Sequence, residues 1–179
     1  MRQILKLLLL FVSIAAHANE TAFYRLNIVN DHNQLLVLKI KDRDLWVTPG
    51  FYKTPEQFEI SQLYDLAADY GLTVSTPKLN GEFDVSMAPD KPFQKRIFYS
   101  AMANGKLQRT PDYIESWQWL AWPEALAQIK PSLPHLALLL NQTQQFPEQV
   151  WHVRLQRELH DGKPTLTILE DFNSGKQPK

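Results

Sequence analysis

The stretch from Gly50 to Leu72, GFYKTPEQFEISQLYDLAADYGL, constrains the fold more than any other part of the chain. Thr54 and Pro55 stand as N-cap and first helical residue, with Gln57 where a capping box places Glu or Gln. Ile60, Leu63, Ala67 and Tyr70 recur at three- and four-residue steps and share one helical face. Gly71 supplies the C-terminal stop. On a helical wheel centred on Asp65, Asp69 lies about 40° to one side and Gln62 about 60° to the other, with the apolar residues roughly opposite. One helix therefore carries a core face and, against it, two carboxylates one turn apart. Such a pair can hold a hard divalent cation from one side.

The frame of this stretch resembles the signature of the Nudix hydrolases: Gly, five residues, Glu, seven residues, then Arg-Glu-apolar-any-Glu-Glu-any-Gly-apolar. Gly50 is followed by five residues and Glu56, and seven more lead to Tyr64, Asp65, Leu66, Ala67, Ala68, Asp69, Tyr70, Gly71 and Leu72. The spacing is intact and the chemistry is altered. Tyr64 stands at the family's Arg, Asp65 and Asp69 at Glu positions, and Ala68 at a metal-binding Glu. Only three residues separate Gly50 from Thr54, so the loop reads as one helical turn short and the helix as one turn long. The resemblance implies an α/β/α sandwich built on a mixed sheet.

Ahead of this stretch, the first 18 residues read as an export signal. Arg2 and Lys6 form a basic start, Leu7 to Ala15 a short apolar run, and Ala16-His17-Ala18 a small-any-small cleavage site. The run is too short for a comfortable membrane span, so no membrane association is expected after cleavage. Without Arg2 and Lys6 the chain holds 17 basic against 19 acidic residues. That balance gives no basis for nucleic acid or an anionic membrane as partner. The absence of cysteine excludes thiol catalysis, Cys-type zinc sites and disulfides, so the core alone must hold the fold. An exported chain of this kind is expected in the bacterial periplasm or secreted.

Residues 19–148 read as the Nudix-like domain. Phe23 to Asn30 and Leu35 to Ile40 form a strand pair around the turn cluster Asp31-His32-Asn33. Asn80-Gly81 reads as a turn, Glu82 to Met87 as a strand, and Lys95 to Ala103 as the best strand in the chain. Arg96 within it is a candidate for a substrate phosphate. The Nudix resemblance places an acidic residue just before a Trp-containing strand. Glu115, four residues before Trp119, matches that position and is implied as general base or additional metal ligand. Trp117 and Trp119 share a strand face, and Trp119 is a candidate for stacking a base. Pro131 to Phe146 reads as a second helix with Leu136, Leu139 and Leu140 inward. The scattered histidines lack zincin spacing. Residues 149–172 read as an added β-hairpin turned at Asp161-Gly162. Its Trp151, Val153 and Leu155 face must bury against the domain or against a second copy in a homodimer. Residues 173–179 read as a disordered tail.

Three functions follow. An enzyme would be a Mg²⁺- or Mn²⁺-dependent hydrolase of a nucleoside-diphosphate-type pyrophosphate bond, with Asp65, Asp69 and Glu56 on the metal. A binding module would keep the cleft for a small phosphorylated ligand and lack the chemistry, since Tyr64 cannot replace an orienting Arg. A structural envelope protein would use the fold as scaffold only. Export is tested directly: mass spectrometry of chain recovered from a bacterial envelope is expected to find Asn19 at the N-terminus. A full-length chain in the inner membrane would refute cleavage.

Overall fold

A computed structural model describes residues 21–175. Residues 1–20, which include the expected export signal, and the last four residues lie outside them. Ten strands, among the described residues, form a mixed sheet in the order β10-β9-β6-β7-β1-β2-β3, with β4, β5 and β8 attached to β1, β7 and β2. The strands are β1 Ala22–Val29, β2 Gln34–Ile40, β3 Trp46–Val47, β4 Gly50–Lys53, β5 Thr73–Val74, β6 Lys78–Ser86, β7 Gln94–Asn104, β8 Ile114–Ala121, β9 Val150–His160 and β10 Lys163–Gly175. Helix α1, Ser61–Ala68, covers one face; α2, Trp122–Ile129, and α3, Pro134–Gln145, cover the other. This is the α/β/α sandwich expected.

The central strand β1 sorts its side chains between the two layers by simple alternation. Leu26 and Ile28 pack with Leu63, Leu66, Ala67 and Tyr70 of the α1 side. On the other face stand Phe23, Arg25 and Asn27, with the last two buried although polar. Strand β1 pairs with β2 only at Val29↔Leu35. Further back it pairs antiparallel with β4, Arg25 opposite Gly50, while β2 turns to β3 and β8. The splay between β1 and β2 is where the cavity described below opens.

Gly50 is required by a close approach. A Cβ there would lie 2.5 Å from the Phe23 ring and 2.7 Å from the Tyr24 carbonyl oxygen. Gly71 is required by its backbone, with φ +78°. It ends α1 in a Schellman-type turn, Leu72 N–H donating to Ala67 O at 3.1 Å and Gly71 N–H to Ala68 O at 2.9 Å.

Three expectations change. The 54–70 helix is interrupted: Pro55–Gln57 is a single 3₁₀ turn, Phe58 is extended, and α1 starts at Ser61. Phe58 leaves the helix to stack on Tyr24 at a centroid distance of 3.9 Å, which outweighs continuing one more turn. Ile60 consequently lies at the helix start, 44% exposed, and Leu66 takes its place in the core. The loop is thus not one turn short. Asn80-Gly81 is a bulge inside β6 rather than a turn, because the pairing with β7 shifts between Leu79 and Gly81. The expected C-terminal hairpin forms between β9 and β10, and its inner face buries against the domain: β9 runs parallel to β6, with Val153 and Leu155 in the core. The expected tail starts late, since Asn173 to Gly175 still pair with β9.

Substituting Gly50→Ala is expected to destabilise the protein by about 1–3 kcal/mol, the usual cost of forcing atoms into a packed site. Urea unfolding of the two proteins measures it.

Candidate ligand cavity

The expected metal carboxylates stand on the open surface and do not line the cavity described below. Asp65 and Asp69 both point to solvent from α1, and Glu56 is exposed on the 3₁₀ turn. Ala68 adds no ligand between them. Among the described residues no group of three His, Cys, Asp or Glu is placed to hold a metal ion. What α1 offers a divalent cation is the exposed Asp65 and Asp69 pair, without a third donor. Glu115 is engaged elsewhere: its Oε1 accepts from Lys39 Nζ at 2.8 Å across the β2–β8 pair. That bond raises the Lys39 ammonium above its ordinary pKa. Trp119 lies opposite Leu36 and packs at the edge of the α1-side core. With Trp117 it borders an open cleft away from the other candidates.

Arg96 is the sequence candidate that lines a cavity with a cationic wall. A cavity of about 430 Å³ opens between the β1–β2 splay and α3, and Arg96 lines it with Phe23, Arg25, Tyr52, Phe98 and His135. Arg25 was not singled out from sequence, because Arg in an alternating strand reads as solvent-facing. The pattern held one clue: β1 carries Arg25 and Asn27 on the face opposite Leu26 and Ile28, a polar face that a central strand must bury.

Each group has a definable electrostatic state. Arg25 is 8% exposed, and its Nη1 donates to the Thr48 carbonyl and, at 2.9 Å, to Thr48 Oγ1. Thr48 Oγ1 in turn donates to Asn27 Oδ1 at 3.2 Å. The guanidinium sits 4.8 Å from the Phe23 ring centroid and 5.7 Å from that of Phe98. Burial first, and then the Arg96 charge, bring its pKa down to about 9. Arg96 donates to Tyr52 Oη at 3.2 Å and to Gln94 Oε1 at 2.9 Å, both neutral acceptors. His135, in the first turn of α3, is buried, and its Nδ1 has no hydrogen-bond partner. Burial, followed by the charges of Arg96, Arg25 and Arg157, pushes its pKa down to about 3, so the imidazole is neutral at pH 7. Nearby, Tyr70 Oη lies 3.3 Å from Tyr113 Oη, and burial raises the Tyr70 phenol well above its ordinary pKa.

Solved structures share this architecture. A MutT protein from Bacillus halodurans superposes with a TM-score of 0.60 at 15% identity, over 88% of this chain and 99% of that one. A MutT protein from Methanosarcina mazei Go1 gives 0.56 at 12% identity, over 72% and 96%. The chain has the Nudix fold. A UDP-X diphosphatase matches at 0.56 and 16% identity over 75% of this chain and 67% of its own, so that enzyme is built on the same Nudix frame. No protein-family model and no curated protein matches at the level of sequence. At these identities the likeness fixes the fold, and the chemistry rests on the residues of this chain.

His135 links stability to pH. In the unfolded chain it protonates below its ordinary pKa of 6.5, whereas the folded protein keeps it neutral down to about 3. Its contribution is full above the first value and lost as pH falls towards the second, on the order of a few kcal/mol. Between pH 7 and pH 4, His135→Gln is expected to lose less stability than wild type. Urea unfolding of both proteins at the two pH values measures the difference.

Proposed function

We propose that this protein is a Nudix-fold binding module that holds a small ligand in the cavity beneath α3 and does not hydrolyse pyrophosphate. The observation that carries this is the separation of the expected metal carboxylates from the cavity. Asp65, Asp69 and Glu56 stand exposed, while the cavity wall is built from Arg25, Arg96, His135 and aromatic rings. A pyrophosphohydrolase of this fold needs a cation to bridge the diphosphate and to generate hydroxide from bound water. Tyr64 and Ala68 remove the orienting cation and a ligand that such a site would use.

Residues 1–18 support a periplasmic setting, in which the mature chain starts near Asn19. There, a cavity that binds without consuming its ligand suits a carrier or a sensor.

Calorimetric titration of the mature protein with Mn²⁺ and Mg²⁺ is expected to give no saturable heat, and UDP-glucose with Mn²⁺ is expected to remain intact. A saturable metal response that Asp65→Asn with Asp69→Asn abolishes, together with turnover of UDP-glucose, would replace the binding module with a hydrolase.

A further inference from the structure

The wall of the cavity is unbalanced in charge. Arg25, Arg43 and Arg96 line it, and no Asp or Glu does. Among the described residues, none of the ion pairs includes Arg25 or Arg96. Both hydrogen bonds of Arg25 leave from Nη1, and its Nε is buried with no acceptor. The Nε of Arg96 is likewise buried and unpartnered. The two guanidinium groups stand on neighbouring strands, 4.8 and 5.3 Å from the same Phe23 ring, and each is within the field of the other.

A second feature points the same way. Helix α3 has twelve residues and no side-chain cap at Leu133, and its first backbone donor to find a carbonyl is Ala137, on Leu133 O at 3.1 Å. Leu133, His135 and Leu136 of this uncapped end border the cavity, so the positive end of the helix dipole adds to the arginines. His135 there is 7% exposed, and its Nδ1 is unpartnered. Buried charges are costly unless paired, and a wall with two guanidinium groups and no acid leaves the counter-charge to whatever binds. Apolar side chains line much of what remains, among them Phe23, Phe98, Met87, Leu136 and Leu139, with the hydroxyls of Thr48, Tyr52, Tyr70 and Tyr113 between them.

Resting on the assignment of this cavity as the ligand site, we infer that it takes a small organic oxyanion, with a carboxylate or phosphate-monoester head on Arg25 and Arg96 and an apolar or aromatic body against Phe23, Phe98 and the leucines of α3. A planar guanidinium matches either head through paired donors. The volume, about 430 Å³, lies in the lower part of the range of small-molecule pockets, which favours a compact body. A purely structural Arg25, there only to hold Thr48, would give the cavity no preference for anions.

The mature protein is titrated at low salt with benzoate, phenyl phosphate, inorganic phosphate and neutral benzyl alcohol, followed by calorimetry and by melting temperature. At least one of benzoate and phenyl phosphate is expected to bind ten or more times tighter than benzyl alcohol, and the stronger of the two identifies the head group. Inorganic phosphate, lacking the body, is expected to bind at least tenfold more weakly than the better aromatic anion. Arg96→Gln is expected to weaken that anion tenfold or more with a melting temperature close to wild type, and this variant decides the matter if Arg25→Gln fails to fold. Benzyl alcohol binding as tightly as both anions, no binding of either aromatic anion, or unchanged affinity in Arg96→Gln would overturn the proposal. The proposed function fails separately: turnover of UDP-glucose would refute it while anion binding stands, and an absence of both anion binding and turnover sinks the anion assignment alone.

Discussion

The buried Arg25 side chain ties the centre of the sheet to the turn that starts the Nudix stretch. Through Thr48 it fixes the residues immediately before Pro49 and Gly50, and Asn27 extends the same chain of hydrogen bonds along β1. Leu26 N–H donates to Pro49 O at 3.0 Å, so backbone and side chain hold the turn together. Gly50 then lies so close to Phe23 and the Tyr24 carbonyl that no side chain fits. The direction of β4, and with it the approach to α1, depends on this contact. A charge placed there for geometry alone would be an expensive choice, since a neutral donor could reach the same carbonyl.

The Nudix frame and the Nudix chemistry come apart on opposite sides of the sheet. Helix α1 keeps what packing demands: Leu63 and Ala67 fully buried, Tyr70 nearly so, and Gly71 in the left-handed region that ends it. Its outer face bears no corresponding demand, and there Tyr64, Asp65, Ala68 and Asp69 stand exposed. Core positions are held by volume and contact on every side, whereas a solvent-facing carboxylate contributes to folding only weakly. A chain can therefore keep the spacing of the motif after its ligands have changed. The cavity under α3 has its own cationic wall of Arg25 and Arg96, although Tyr70, just past α1, also borders it.

Much of the fold was legible from local pattern. The Gly50–Leu72 spacing, the alternation of the strands, and the left-handed Asp161-Gly162 pair all correspond to elements in the structure. The helix start was misplaced because Thr54-Pro55 is a sound local signal that lost to the stacking of Phe58 on Tyr24, a contact between distant residues. Asn80-Gly81 was misread for the same reason: a dipeptide that favours a turn in isolation is held as a bulge by a partner strand. Of the candidate site residues, Arg96 is legible as a cation within the strand Lys95–Ala103. His135 lies in a helix without metal-ligand spacing, and Arg25 reads as an ordinary polar residue of an alternating strand, so nothing local marks either as buried.

The sequence by itself determined which face of most elements is apolar and where a tight turn such as Asp161-Gly162 falls. These are properties of neighbours within a few residues, governed by helix and strand periods and by backbone sterics. Tertiary structure alone decided that β1 is central, with both faces covered, and that its Arg25 and Asn27 are therefore inside. It also decided that Arg25, Arg96 and His135, which come from β1, β7 and α3, meet around one cavity, while Asp65 and Asp69 remain in water. Burial and mutual charge follow from which strands lie side by side and which helix roofs them, and no local pattern carries that information.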